Sequence, residues 1–565
     1  MRKNKIIIVP LMLVGFLWFG SSLTVAQISP ATNSFRNAST AGLLEDDLEL
    51  MVGLYGYLDP ARIPLIDGKR LYTSLSNFVT KQEELFNNNG NEYFLIGGKS
   101  DIRRGLSEYG SLGLLYDRAA FKSPLYVGFS DVDGNPIFGQ GQRDEVRRYD
   151  RDEDLYQEEE HEITRKGTNY EYWRGWDHLV GFGKYVGNMK VGVVYLRKDN
   201  YSQWPTTTVI DSSITNRVTA STIYTYSKID SSTFEMKNLL NFFGLSLWRP
   251  QTEKIDLGLA LGIGILSNMA SQTNRTVKEN WERPTLETYS YTREDKDTEE
   301  WPGNLFDGRL AAIYKWSDAT QTRCDLGFAH SSSKIKSGAK VERSNSTVYT
   351  GINPYTWTWT SGGPITQGKA GNNELAVLLK TVSKLSKKVT FGIGLWFWTG
   401  NGDSTGVYKN DYSETYSLRI NGNPVDPNSY VETITRTETW EHKRTYANTT
   451  IQIPVCVEFN LTNAIVFRIG ARHDMENSDM TLNKTLTSST AELTHRVYGD
   501  GRIEDAVQDY NVPVASSETQ EEKSTYTSYF YGAGWNYSKN LQLDFMGFAN
   551  LTNLTNWRLS ATLKF

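Results

Sequence analysis

The 565-residue chain has only two cysteines, six histidines and sixteen prolines. Two thiols exclude a disulfide framework and a cysteine-built zinc site. An excess of basic charge is also missing. The 60 Lys+Arg and 65 Asp+Glu leave a net charge of −5 and a pI near 5.9, which argues against a nucleic-acid surface. Mean hydropathy is −0.48, and beyond the N-terminus no apolar run approaches the roughly twenty residues of a membrane helix. Nor is there a convincing Ser/His/Asp set. His161-Glu162 is followed by Ile163-Thr164-Arg165, so the second histidine of a zinc-protease helix is absent. No enzyme activity and no cofactor are expected.

What is present starts with a leader. Arg2, Lys3 and Lys5 precede an apolar stretch from Ile6 to Phe19, and Thr24-Val25-Ala26 supplies the short residues of a cleavage site. Residues 1–26 are expected to be a signal peptide. Their loss would take the net charge from −5 to −8.

After residue 90 the pattern is one hairpin after another, with period two. Ile255, Leu257, Leu259, Leu261, Ile263 and Ile265 alternate with Lys254, Asp256, Gly258, Ala260, Gly262 and Gly264. Such a strand has one aliphatic face and one polar or small face. The same alternation runs through Val389 to Phe397, Ile465 to Ala471 and Trp557 to Phe565. Short turns, at Gly187-Asn188, 249–253, 317–321, 385–388, 460–463 and 538–540, alternate with long polar segments at 199–238, 267–304, 333–373, 400–445 and 475–523. Strands running toward the short turns end in Tyr185, Trp248, Trp316, Phe459, Tyr537 and Phe565. Those rings are expected to form an interfacial girdle.

On these features the chain resembles a bacterial outer-membrane β-barrel protein. Trp557, Leu559, Leu563 and Phe565 resemble the C-terminal assembly signal of that class. The resemblance implies an all-β, transmembrane, antiparallel up-and-down barrel with short periplasmic turns and long extracellular loops. It further implies an outer-membrane location, lipid as a neighbour and the barrel-insertion machinery as a partner. Counting back from Phe565 gives about sixteen strands, with fourteen as the fallback. Residues 71–565 are assigned to the barrel. Residues 27–70, with Leu44, Leu48, Met51 and Val52 on one helical face and Asp59-Pro60 as a helix start, are a lumen plug, a periplasmic foot or a loose tail.

Period two turns Asp256, Asp307, Arg309, Arg323, Asp325, Lys380, Arg468, Arg472, Asp544 and Arg558 inward, where a charge is far cheaper than against lipid. Gly258, Gly262 and Gly264 are expected to leave lumen space open. The favoured reading is a porin-like channel or transporter passing small polar solutes through a mixed-charge lumen. A surface protein with a closed lumen and working outer loops is the alternative, and a membrane-embedded hydrolase is a further one. Gly98-Lys99-Ser100 lacks the first glycine of a phosphate loop, and Asp131-Val132-Asp133-Gly134 is read as a turn rather than a calcium loop. The acidic run Asp144–Glu162 is expected to be a solvated loop. Tyr355, Trp357 and Trp359 fit an aromatic strand extending the wall better than a sugar platform. Cys324 and Cys456 fall on opposite faces and should be free thiols.

Overall fold

The computed structural model describes residues 34–52, 58–76, 92–104, 107–124, 126–130, 136–140, 142–151, 159–216, 221–283, 287–336, 340–509, 515–547 and 558–565. The expected signal peptide, Asp131–Gly134 and Trp557 lie outside them.

Sixteen strands make the wall. The first eight are β1 (Arg70–Ser76), β2 (Glu92–Arg104), β3 (Ser107–Pro124), β4 (Glu159–Val186), β5 (Met189–Asn216), β6 (Ser221–Pro250), β7 (Ile255–Arg283) and β8 (Gly303–Lys315). The second eight are β9 (Thr320–Lys334), β10 (Tyr355–Lys384), β11 (Val389–Leu418), β12 (Tyr430–Asn460), β13 (Ile465–Ser489), β14 (Ala515–Asn536), β15 (Leu541–Gly547) and β16 (Arg558–Lys564). Each pairs antiparallel with its neighbour in sequence. The ring closes where β1 meets β16, from Arg70 opposite Lys564 to Ser76 opposite Arg558. Closure leaves the barrel no edge, which is what lets a sheet cross a bilayer with every backbone polar group paired. The fold is a closed, sixteen-stranded, antiparallel up-and-down transmembrane barrel, as the alternation implied.

The alternation is visible in burial. Along β9, Arg323, Asp325, Gly327 and Ala329 are buried, while Cys324, Leu326, Phe328 and His330 are exposed. On β7, Leu257, Leu259, Leu261, Ile263 and Ile265 are all exposed large apolar side chains, forming part of an aliphatic outer belt. Cys324 is exposed and Cys456 buried, and both are free.

The long segments between short turns are mostly not loops. Strands β4 to β7 and β10 to β12 run 28–31 residues, whereas a tilted strand needs only about 9–11 to cross a bilayer. β8 and β9, with 13 and 15 residues, stop short. Two further strands, Glu287–Glu300 and Lys340–Thr350, fill the gap above them by bridging β7 to β10. Part of the acidic run Asp144–Glu162, expected as a loop, is a hairpin arm: Gln142–Arg151 pairs with the start of β4. Tyr355, Trp357 and Trp359 do extend the wall. Tyr355 stacks on Tyr349 with centroids 5.2 Å apart, and Trp359 stacks on Tyr412 at 6.4 Å.

Of the expected aromatic girdle, Tyr185, Trp316, Tyr537 and Phe565 are well exposed near the short turns, and Phe459 is exposed too. Trp248 is a correction. It is only 2% exposed, because it turns inward beneath Gly258 and donates its indole N–H to the lumen.

Candidate functional site: the filled lumen

Residues 34–52 and 58–66 lie inside the barrel at its short-turn end. Two short helices, α1 (Phe35–Ser39) and α2 (Asp47–Val52), are followed by a 3-10 turn at Pro60–Leu65. Ser34 caps α1 by accepting from the Asn37 N–H at 3.0 Å, satisfying one of the free donors of a helix start. Pro60 opens the 3-10 turn, where its missing N–H costs nothing. Between the helices Ala41 and Gly42 both take positive φ, at 52° and 88°, and Gly42 lies against the Trp396 ring. That reversal carries the chain from one side of the lumen to the other.

Apolar contacts fill both sides. Leu48, Met51, Leu58 and Ile66 pack into an arc formed by Leu95, Leu115, Leu179, Leu196, Phe242 and Leu305. Leu43 and Leu44 pack against Ala329, Leu378, Trp396 and Cys456 on the opposite arc. Burial at this level contributes roughly 1.5–3 kcal/mol per large side chain.

Charge then fixes the register. Glu45 is bound by three cations: Arg62 of the same segment at 2.7 Å, Arg323 of β9 at 3.2 Å, and Lys380 of β10. Burial pushes the Glu45 carboxyl up, but the charges of Arg62, Lys380 and Arg323 outweigh it and hold the group well below the ordinary carboxylate range. Asp59 accepts from Arg309 Nη2 at 2.7 Å and from Trp248 Nε1 at 2.9 Å. Arg36 reaches Glu458 at 2.8 Å, Glu458 accepts from Arg468 at 2.9 Å, and Arg468 continues to Asp544 at 2.7 Å. The Ala61 N–H donates to Ser246 Oγ, and Lys99 Nζ donates to the carbonyls of Ile66 and Gly68.

The charged residues singled out in the sequence are placed as follows. Asp307, Arg309, Arg323, Asp325, Lys380, Arg468 and Asp544 are buried. Arg323 also pairs with Asp325 at 2.7 Å. Arg472 pairs with Asp474 at 3.0 Å, apart from the cluster around Arg36. Asp256 pairs with Lys315 at 3.2 Å near the short-turn rim. Arg558 begins β16, and its side chain is outside the described residues. Of the assembly-signal residues, Leu559 and Phe565 are exposed and Leu563 is intermediate.

The glycine expectation is corrected. A β-carbon at Gly258 would meet Trp248, one at Gly262 would meet Phe242 and Asp307, and one at Gly264 would meet Leu240 and Leu305. These glycines accommodate neighbouring side chains. Sequence reasoning also missed the lumen roles of Arg36, Glu45, Asp59, Arg62, Lys99 and Trp248. The available signals were the acidic run Glu45-Asp46-Asp47 and the Asp59-Pro60 start.

A closed, even-stranded antiparallel barrel with an aliphatic outer belt and a polar, plugged interior is a β-barrel of the outer-membrane class. No protein-family model and no curated protein matches the chain. Among solved structures, a FadL homologue from Pseudomonas aeruginosa is 10% identical, covering 95% of this chain and 99% of its own, with a TM-score of 0.23. The P. putida toluene transporter TodX is 7% identical over 94% and 98% of the two chains, with a TM-score of 0.27. The copper transporter OprC is 9% identical over 88% and 80%, with a TM-score of 0.22. At such scores these likenesses carry no weight for the solute or the mechanism.

Proposed function

We propose that this protein is an outer-membrane transporter whose lumen is shut at the periplasmic end by residues 34–52 and 58–66, and that passage requires this segment to yield. The observation that carries the proposal is Glu45 held by Arg62, Arg323 and Lys380 in the middle of the lumen. Ion pairs reaching from a short terminal segment to the wall are separable, whereas a wall pairing only with itself would need no segment at all. The aliphatic belt on β7 and its neighbours supports a lipid surround, and the exposed Phe565 at the end of β16 suits contact with the barrel-insertion machinery.

The two interior arcs bear on the solute. With the segment displaced, Leu196, Phe242 and Leu305 would face a charged arc of Arg323, Lys380, Arg468 and Asp544. A small polar solute with one apolar end fits such a route better than a simple ion. Single-channel conductance of the full chain tests the proposal. The wild type should be mostly silent, and Glu45→Ala should show openings. A surface protein with a permanently closed lumen is the second reading, favoured by the 28–31-residue strands that stand far above the belt. It predicts silence from both proteins.

A further inference from the structure

The upper wall carries a recess outside the lumen. A cavity of about 550 Å³ spans β4, β5, β6, β7 and the inserted strand Glu287–Glu300. Thr225 and Ser227, which line it, share the face of β6 that lower down presents the exposed Phe243 and Leu245. The recess therefore opens on the outside of the barrel, above the aliphatic belt.

Two adjacent rows of cross-strand neighbours make its floor. One runs Glu162, Ser213, Thr225, Glu282 and Thr288 in continuous register. In the other, Asp211 and Asn280 are flanked by serines and a threonine. All ten side chains are hydroxyl, amide or carboxylate, with no cation and no aliphatic among them. The next row down changes character at once, to Lys166, Val209, Ile229 and Lys278, so the polar floor has a defined lower border. On the opposite face of the sheet Trp281 stacks on Tyr289, with centroids 5.7 Å apart and planes 12° from parallel, stiffening the floor. Among the described residues Asp211, Asn280 and Glu282 have no side-chain partner.

The chemistry selects the ligand class. Among the described residues no cation lines the recess, so it does not select phosphate or carboxylate, and with no aliphatic lining it suits no apolar side chain. Among the described residues no group of three His, Cys, Asp or Glu side chains could hold a metal ion, and Asp211 and Glu282 lie two strands apart, roughly 10 Å at ordinary strand spacing. Carboxylates and an amide spread among hydroxyls match a ligand that presents many hydroxyl donors along a ring, and the volume lies within the range of small-molecule sites. We propose that this recess binds a sugar ring, with Asp211 and Glu282 accepting from ring hydroxyls and Asn280 donating to and accepting from them.

The proposal is independent of whether the lumen conducts. Full-length protein in detergent micelles would be applied to a mixed glycan array, and the best-retained free sugar then titrated by tryptophan fluorescence. The wild type should retain neutral glycans. Asp211→Asn with Glu282→Gln should weaken binding at least tenfold, Asn280→Lys should abolish it, and Lys278→Asn, outside the floor, should leave it unchanged. Heat-dependent gel mobility checks that each variant remains a barrel. No glycan retained above blank spots, or equal retention by the folded floor variants, would overturn the proposal. Calcium titrating at these residues with no glycan bound would overturn it as well.

Discussion

Asp59 and Arg309 lie 2.7 Å apart with side chains 1% and 2% exposed, the first in the lumen segment and the second on the barrel wall. Burial this complete makes the pair a fastening: removing one partner of a buried ion pair costs about 3–5 kcal/mol. Asp59→Ala should therefore speed hydrogen exchange across residues 58–66 while leaving the aliphatic belt untouched. Asp67→Ala, at an exposed position, serves as the control and should change little.

Leu259 and Ala260 test the two faces of β7. Leu259 is exposed on the aliphatic side, so an arginine there should cost about 2–4 kcal/mol if the position is near mid-bilayer. The alternation alone suggests that Ala260 tolerates arginine, but it is 6% exposed and paired with Ser246 and Arg309 beneath the lumen segment. A serine should be accepted there and an arginine rejected. Refolding midpoints in urea would report both positions.

Gly262 and Gly308 should respond differently to the same methyl group. At Gly262 it would overlap the Phe242 ring, whereas at Gly308 its nearest neighbour is Leu261 Cδ2 at 3.4 Å. Gly262→Ala should destabilise by about 1–3 kcal/mol, as overpacking does, and Gly308→Ala by clearly less. Denaturation midpoints of the two variants give the comparison.

Acidity should tighten the upper wall. Burial pushes the Asp297 carboxyl up to about 6, and burial pushes Glu299 up to about 7 despite the hydrogen bond from Trp301. Both values lie above those of an unfolded chain, so folding disfavours the ionised form. The penalty is absent below pH 4, grows as pH rises through the unfolded values toward 7, and is complete above it. Exchange protection of Glu287–Glu300, corrected for intrinsic rates, should be greater at pH 5 than at pH 8. Glu299→Gln should remove most of the difference.

The barrel was legible because lipid imposes a strict rule on every strand: Leu257 to Ile265 face out, so the residues between them must face in. Closure and strand number followed from the regular alternation of short turns and long segments. The filled lumen was not legible, for a physical reason. Arg309, Arg323 and Lys380 can be read as inward charges from their own strands, but their partners Asp59 and Glu45 lie hundreds of residues away in a segment without periodicity. The glycines misled for the same reason. Whether Gly262 leaves space depends on Phe242, a residue of the neighbouring strand. Trp248 looked like a girdle ring by position, but it lies on the face of its strand opposite Phe243 and Leu245, and its inward indole meets the Asp59 carboxylate.

The central claim, a lumen closed by a separable segment, is tested most directly by tying that segment to the wall. A β-carbon at Gly392 would sit 3.2 Å from Leu43 Cβ, close to disulfide geometry. The experiment is planar-bilayer conductance of Leu43→Cys/Gly392→Cys in a Glu45→Ala, Cys324→Ala, Cys456→Ala background, recorded oxidised and then reduced. Silence when oxidised and reversible openings after reduction are expected. Openings of equal size and frequency in both states would contradict the account.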